Sequence, residues 1–415
     1  MLRNPLLPAL AAAQAVMTTV AVLVANPGSQ APAHPVRPDI AIGLVSNTLL
    51  AMGGNTNPAG LTPDMQLLVH GLVDTRANPD SPYYGWDFDA VEWPAQIWLP
   101  ILGNWAYEPA QQVGQRNFAN AVGALLPTLD PGEQIVALGY SSSANVMIRQ
   151  MRALQGQTER PADDQLAFIL VGNPNRPNGG VLQRFSGGYV PLVDIPMDGS
   201  TPLDVPYRTT DVSWEYDPAS DFPLYPLNLL AVLNSLVGGI VLHSNYIDAD
   251  VDGPRAFPDT NRGAITYVTL EPPRLPLLMP LHDAGFPEPL LDLVEPVLTV
   301  IIDWAYDRSI DPGTPTAARL IPPIPASAMG DLVDAVVRGV RDFADANRPR
   351  PGATLGVVSP RAQVTRPIEH RAQRAARDRS RAGYSPSSGR ADPPSDPSPD
   401  PSPSGSASRT LTSIP

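Results

Sequence analysis

The chain has 415 residues and a formal net charge of −13, with 41 Asp and Glu residues against 28 Lys and Arg. This negative charge argues against nucleic-acid binding, because phosphate contacts require a cationic face. The absence of cysteine excludes disulfide scaffolds, thiolate metal sites and cysteine nucleophiles. All 28 of the Lys and Arg residues are arginine, so lysine Schiff-base chemistry and a lysine-containing P-loop are excluded as well.

Residues 1–33 are predicted to form an export segment. After Arg3, an uncharged run extends over residues 4–30, and its apolar centre is long enough for a signal peptide or a membrane anchor. Ala31-Pro32-Ala33 fits the small-x-small pattern of a cleavage site. The sequence therefore predicts a protein that is exported, either secreted after cleavage or anchored to the membrane of the cell envelope.

Residues 34–346 are predicted to form one large domain of alternating strands and helices. Helices are predicted for residues 117–126 and 144–154, and strands for residues 48–52, 134–138, 165–171, 238–242 and 264–270. Strands separated by helices indicate a mostly parallel sheet with helices on both faces. In such sheets the functional residues collect at the carboxyl ends of the strands.

The segment from Tyr84 to Tyr107 has two possible roles. It could line an apolar groove or form a lid, or it could belong to the aromatic core. It contains four of the tryptophans of the chain, Trp86, Trp93, Trp98 and Trp105.

The segment Gly139-Tyr140-Ser141-Ser142-Ser143 lies between a predicted strand and a predicted helix. A strand that ends in Gly-x-Ser-x-small and opens a helix is typical of the nucleophile elbow of α/β-hydrolases. The serine lies on a sharp turn, so the residues two before and two after it must be small. Gly139 and Ser143 meet this condition, although Ser143 replaces the usual glycine. The pattern predicts Ser141 as a nucleophile, with an ordinary turn as the alternative.

A serine nucleophile requires a base, and the chain has five histidines. In α/β-hydrolases the order along the chain is serine, acid, histidine, which leaves His243 and His282. His243 follows a short apolar run that is predicted as a strand, so we expect His243 to be the base. The excluded histidines precede the serine or lie in the predicted tail: His34, His70 and His370.

The triad acid is predicted in the segment from Tyr216 to Pro223, between the serine and the histidine. Asp217 is the first candidate and Asp221 the alternative. Both residues are also compatible with a simple turn or with a helix cap.

An oxyanion hole requires two backbone N–H groups, one of them from the residue after the nucleophile, which is Ser142. A glycine-rich loop after an early strand should supply the second group. Gly53-Gly54-Asn55-Thr56 fits this description, so Asn55 and Thr56 are the candidates, with His70-Gly71 as an alternative loop.

Residues 347–415 are predicted to form a disordered tail that is rich in Pro, Ser and Arg. Such a tail buries almost no apolar surface. It could act as a solvated spacer or contact an anionic wall or membrane surface.

Three sequence blocks resemble the PE-PPE domain of mycobacteria and related actinobacteria. They are residues 139–144, residues 172–180 with the sequence Gly-Asn-Pro-Asn-Arg-Pro-Asn-Gly-Gly, and residues 216–228. Residues 243–246 and 318–323 continue the match, which spans roughly residues 45–345. The resemblance implies a cutinase-like α/β-hydrolase fold. Because the family has a Gly-x-Ser-x-Ser elbow, Ser143 fits the family pattern.

The resemblance also implies esterase activity on acyl esters, or acyl transfer onto cell-envelope glycolipids such as acylated trehaloses. It carries over Ser141 as nucleophile and His243 as base, and it favours Asp217 as acid. The reaction needs no metal or cofactor. Two other functions remain open: a non-catalytic scaffold of the envelope with a degenerate hydrolase fold, and thioesterase or amidase activity of the same triad.

Overall fold

The computed structural model describes residues 47–348, apart from gaps at 57–67, 69–71, 73–78, 80, 98–104, 250, 252 and 323–325. The predicted export segment and almost all of the predicted tail lie outside the described residues. So do His70, Gly71 and Trp98. Within the described part, no helix combines the length and the apolar character needed to cross a membrane.

Within the described residues, nine strands form two sheets. They are β1 (Thr48–Met52), β2 (Asp87–Ala90), β3 (Ile135–Tyr140), β4 (Leu166–Val171), β5 (Tyr189–Val190), β6 (Ile195–Pro196), β7 (Thr209–Trp214), β8 (Arg255–Arg262) and β9 (Ile265–Leu270). The central sheet has the order β2-β1-β3-β4-β7-β9-β8, and β5 pairs with β6. Within the central sheet all neighbours are parallel except β8 and β9.

The described helices are α1 (Tyr107–Leu125), α2 (Ser142–Gln155), α3 (Val181–Arg184), α4 (Leu229–Gly238), α5 (Met279–Asp283), α6 (Glu288–Asp303) and α7 (Ala328–Ala346). A single π-helical turn, Gly239–His243, continues α4 directly. Helices α6 and α7 pack so closely that a Cβ atom on Gly339 would overlap the carbonyl oxygen of Leu293.

Core clusters cover both faces of the central sheet at β1, β3 and β4. In β1, Leu50 and Met52 belong to one core cluster and Leu49 and Ala51 to another, as expected when successive side chains point to opposite faces. The first cluster includes residues of α1 and α2, and the second includes Leu242 of the π-helical turn. The mostly parallel sheet with helices on both faces confirms the predicted α/β-hydrolase architecture.

Four of the five predicted strands are confirmed within two residues of their predicted ends, but the strand predicted for residues 238–242 is wrong. Gly238 ends α4, and Gly239–His243 forms the π-helical turn. A short apolar run can belong to a strand or to a buried helix, and here the run extends the helical pattern of residues 229–238. The strand between β4 and β9 is instead β7, whose sequence Thr-Thr-Asp-Val-Ser-Trp gave little apolar signal.

Candidate active site

Ser141 occupies a strained turn between β3 and α2. Its φ is 58° and its ψ is −118°, a combination that non-glycine residues adopt at a cost of about 1–3 kcal/mol. Gly139 makes the turn possible, because a Cβ atom there would lie 2.7 Å from Met147 Cγ and 3.0 Å from Ala144 Cα. The backbone therefore has the geometry of a nucleophile elbow, which presents the serine side chain at the carboxyl end of a central strand.

Ser143 fastens this turn to the neighbouring strand. Its hydroxyl accepts a hydrogen bond from the backbone N–H of Tyr140 at 2.8 Å and lies 2.7 Å from the carbonyl oxygen of Met52, to which it donates. Ser143 is fully buried. A glycine at this position would leave both backbone groups without this partner, so the serine contributes more than small size.

Ser141, His243 and Asp217 form a continuous chain of hydrogen bonds. Ser141 Oγ lies 2.8 Å from His243 Nε2, and His243 Nδ1 lies 2.8 Å from Asp217 Oδ2. Both His243 and Asp217 are buried. His243 reaches the serine from the end of the π-helical turn, whereas the sequence predicted that it follows a strand.

Asp217 accepts hydrogen bonds on both carboxylate oxygens. Oδ2 accepts from Tyr246 Oη at 2.7 Å as well as from His243, and Oδ1 accepts from the backbone N–H of Ala219 at 2.7 Å. Burial by itself would raise the pKa of Asp217, but the charge of His243 and these hydrogen bonds together hold the pKa below its ordinary value. The carboxylate is thus ionised at neutral pH although it is fully buried.

The alternative acid, Asp221, faces another partner. Its two carboxylate oxygens lie 2.6 and 2.8 Å from the two terminal nitrogens of Arg308. Oδ2 also accepts from the backbone N–H of Tyr216 at 2.7 Å. The structure therefore brings Asp217, and not Asp221, to His243.

His282, the other candidate base, lies on α5 and is about half exposed. Its ring nitrogens contact Asp283 and Glu288 at 3.0 and 2.9 Å. These contacts belong to a charged surface and not to the elbow.

The predicted oxyanion loop lies against the elbow. A Cβ atom on Gly54 would come within 3.1 Å of Ser141 Cβ, and Ser142 Oγ donates to Asn55 Oδ1 at 2.9 Å. Ser142 is the first residue of α2, where backbone N–H groups have no partner within the helix. The backbone N–H of Thr56, in contrast, donates to the carbonyl oxygen of Ala95 at 2.8 Å. This bond removes Thr56 from the predicted donors and leaves Ser142 and Asn55.

A sequence profile described as the PE-PPE domain matches residues 85–307, more than half of the chain. The chain belongs to the PE-PPE domain family. The protein named esterase PE16 from Mycobacterium tuberculosis is 36% identical over 347 residues, which cover 78% of this chain and 62% of that protein. The diacyltrehalose acyltransferase Chp2 of the same organism is 29% identical over 255 residues, which cover 58% of this chain and 66% of that protein. The chain thus spans slightly less than two thirds of each of these relatives.

A solved cutinase-like protein from Cryptococcus sp. is 16% identical and covers 49% of this chain and 95% of its own, with a TM-score of 0.30. The order of the strands and the strained elbow define the fold of this chain.

The Gly-Asn-Pro-Asn block of the PE-PPE resemblance begins directly beside His243. Gly172 has a φ of 58°, and a Cβ atom there would lie 2.9 Å from His243 Cε1, so both its conformation and its surroundings require glycine. The next residues are held by buried polar contacts. Asn173 Nδ2 donates to Asp211 at 2.7 Å, and Arg176 pairs with the same aspartate at 3.0 Å. This block therefore fixes the loop after β4 against the imidazole.

Sequence reasoning missed the aromatic residues that surround the imidazole. The Tyr140 hydroxyl donates to the carbonyl oxygen of His243, and the ring of Tyr246 stands edge-on to the imidazole at a centroid distance of 6.2 Å. The only sign of these two residues in the sequence was their position. Tyr140 lies one residue before the serine, and Tyr246 lies three residues after the histidine.

Two more residues, from α1 and from the tryptophan-rich segment, support the elbow and its loop. Gln111 Nε2 donates to the carbonyl oxygen of Ser142 at 2.9 Å. Trp93 is buried, and its Nε1 donates to the carbonyl oxygen of Gly53 at 3.0 Å. Trp93 is therefore a core residue that also supports the predicted oxyanion loop. Trp105 is 41% exposed.

In the described part of the chain, no group of three or more His, Asp and Glu side chains is arranged to hold a metal ion.

Proposed function

We propose that this chain is an exported serine esterase or acyltransferase that acts on acyl esters of cell-envelope lipids or glycolipids. The observation that carries the proposal is the hydrogen-bonded chain Ser141–His243–Asp217, with the serine on a strained elbow. The same three residue types in this geometry support nucleophilic acyl transfer on unrelated folds.

In the first half of the proposed reaction, His243 Nε2 takes the proton of Ser141 Oγ as this oxygen attacks the acyl carbonyl carbon. The negative charge that develops on the carbonyl oxygen is stabilised by the backbone N–H groups of Ser142 and Asn55. Asp217 remains ionised, holds His243 Nδ1–H and stabilises the imidazolium. His243 then gives the proton to the leaving alcohol, and the acyl group remains on Ser141 as an ester.

In the second half, His243 removes a proton from the acceptor hydroxyl as its oxygen attacks the acyl carbon. His243 then returns this proton to Ser141 Oγ as the ester bond to the serine breaks. Water as acceptor gives hydrolysis, and a sugar hydroxyl gives acyl transfer. The relatives named an esterase and a diacyltrehalose acyltransferase support both outcomes as candidates for this chain.

The first experiment measures hydrolysis of a p-nitrophenyl acyl ester and labelling by a fluorophosphonate probe. We expect Ser141→Ala to abolish labelling and to lower kcat by about 10⁴-fold or more, as for other triad serines. Ser309→Ala is a matched control, because Ser309 is exposed and its hydrogen bonds to other described residues go to Asp307 in the same turn. Equal hydrolysis by wild type and Ser141→Ala would refute the proposal. Folded wild-type protein that is neither active nor labelled would support the scaffold alternative.

A second experiment separates transfer from hydrolysis. The protein is incubated with an acylated trehalose as donor and free trehalose as acceptor, and the products are resolved by mass spectrometry. An acyltransferase gives newly acylated acceptor, and an esterase gives only free fatty acid. Neither product with the wild-type protein would reject acylated trehalose as a substrate.

The proposed location in the envelope depends on residues 1–33. Cell fractionation of the full chain and of a chain lacking these residues tests it. We expect the full chain in the envelope or the medium and the shortened chain in the cytoplasm, and the same distribution of both would contradict export by this segment.

A further inference from the structure

The Tyr246 side chain connects the acid of the site to the end of a central strand. Its ring is buried, and its hydroxyl oxygen lies 2.7 Å from Asp217 Oδ2 and 2.9 Å from the backbone nitrogen of Trp214, the last residue of β7. The Trp214 N–H can only donate, so the hydroxyl oxygen of Tyr246 is the acceptor in that bond. The single hydroxyl proton is then directed to the carboxylate.

The hydrogen bonds of Asp217 together favour an ionised carboxylate. Among the described residues its partners are His243 Nδ1, the Tyr246 hydroxyl and the backbone N–H groups of Ala219 and Ser220, the last at 3.4 Å. Each of these groups donates, so a protonated carboxyl would have to break one of the bonds. Removing one donor from such a buried network weakens the hold on the carboxylate and leaves its charge less compensated.

Tyr246 also contacts the base. It begins a short 3₁₀ turn three residues after His243, and its ring stands at 85° to the imidazole. A Cβ atom on Gly172 would come within 2.9 Å of His243 and 3.3 Å of the Tyr246 ring, so the two rings fill the space above this glycine together. One side chain therefore bonds to the acid and packs against the base.

We propose that Tyr246 is a positioning residue of the active site, whose hydroxyl holds the Asp217 carboxylate in the orientation that receives His243 Nδ1–H. The residue acts through Asp217 and is not assigned a contact with the substrate. The inference rests on the proposed function, because it concerns a triad that attacks acyl esters.

The titratable groups that face Asp217 are His243, Tyr246 and Tyr140. Burial, and to a smaller extent the charge of Asp217, raises the pKa of Tyr246 and of Tyr140 above the ordinary value. Neither tyrosine therefore ionises in the working pH range of the enzyme. A change in the pH profile of a Tyr246 variant therefore reports the Asp217–His243 pair.

The test is Tyr246→Phe, which removes the hydroxyl and keeps the ring. We expect kcat to fall about tenfold, the loss typical of one hydrogen bond to a charged group, with KM unchanged. Without the tyrosine hydroxyl, the Asp217 carboxylate attracts the proton that it shares with His243 more strongly. The acid limb of the pH profile of kcat/KM should therefore move to higher pH.

Tyr267→Phe is the matched control. Tyr267 is equally buried, and its hydroxyl has no hydrogen-bond partner among the described residues, so its removal should change neither kcat nor the pH profile.

A double-mutant cycle distinguishes positioning from a general loss of structure. If Tyr246 acts through Asp217, Tyr246→Phe should cost less than about twofold in kcat when Asp217 is already Asn, because interacting residues are not additive. An equal loss in both backgrounds would overturn the proposal.

If the phenylalanine variant does not fold, 3-fluorotyrosine at position 246 replaces it. Its more acidic hydroxyl donates more strongly, so the acid limb should move to lower pH, and an unchanged limb would count against the proposal.

An NMR measurement that does not depend on catalytic activity tests the role of Tyr246 separately from the proposed function. The proton on His243 Nδ1 gives a far-downfield ¹H NMR resonance when it is held by a buried carboxylate. We expect Tyr246→Phe to shift this resonance and Tyr267→Phe to leave it in place. A wild-type protein without esterase activity would refute the proposed function, while the NMR comparison would still test Tyr246. The same resonance in wild type and Tyr246→Phe would refute the positioning role.

Discussion

Two buried aspartates lie four residues apart in the loop after β7, and their partners give them different roles. Asp217 faces an imidazole and a tyrosine hydroxyl, whereas Asp221 faces the guanidinium of Arg308 through two parallel contacts. An imidazole can both accept and donate a proton, so the first pair can take part in proton transfer. A guanidinium stays charged, so the second pair is permanent. The partner, and not the loop, determines which aspartate can serve a catalytic histidine.

The surroundings of Arg308 strengthen this difference. Burial alone would lower the pKa of Arg308, but the charges of Asp221 and Glu215 raise it well above its ordinary value. The guanidinium carbon also lies 4.1 Å from the centroid of the Tyr306 ring. Asp221 thus ties the loop to the segment after α6, and this anchor holds the backbone from which Asp217 projects.

Of the two aspartate variants, Asp217→Asn should lose more activity. The asparagine keeps the size of the side chain but no longer favours the tautomer of His243 with its proton on Nδ1. We expect kcat/KM for a p-nitrophenyl ester to fall by about 10³–10⁴-fold, as in other triads that lose the acid. A loss of less than tenfold would show that Asp217 is not the acid.

Asp221→Asn should instead have a large effect on stability and a smaller effect on kcat. The variant leaves the charge of Arg308 with a weakened partner. Because Arg308 is about a quarter exposed, we expect the free energy of unfolding to fall by about 2–3 kcal/mol, less than for a fully buried pair. Urea denaturation of both asparagine variants measures this difference. If Asp221→Asn lost more activity than Asp217→Asn while remaining folded, the assignment of the two roles would be wrong.

The smallest expected effect is a pH dependence of stability. The pKa of Asp217 is lower in the folded protein than in the unfolded chain, so its contribution is fully present above the ordinary carboxyl pKa of about 3.9. The contribution is lost as the pH falls below this value through the folded pKa. Urea denaturation between pH 6 and pH 3 should therefore show a shallower loss of stability for Asp217→Asn than for wild type. Parallel curves would contradict the lowered pKa.

Much of the site was predictable because it depends on local sequence. The small residues around Ser141 are required by the turn itself, and the order of serine, acid and histidine limited the bases to His243 and His282. The strands of continuous apolar residues were predictable for the same reason, since a strand that is buried on both faces must be apolar throughout.

The rest depends on contacts between distant residues. Whether Asp217 or Asp221 meets His243 is decided by Arg308, which lies 87 residues beyond Asp221. The bond from Thr56 to Ala95 and the role of Tyr246 likewise follow from tertiary packing. The strand predicted for residues 238–242 was wrong because an apolar run of this length does not distinguish a strand from the end of a helix.

Trapping the acyl-enzyme tests directly whether Ser141 is the nucleophile. The protein is mixed with a p-nitrophenyl acyl ester, quenched in acid within the burst phase and digested for peptide mass spectrometry. We expect the mass of one acyl group on Ser141 in the wild-type protein and no acyl group in Ser141→Ala. Acylation at another residue, or turnover of the ester without any adduct on Ser141, would contradict it.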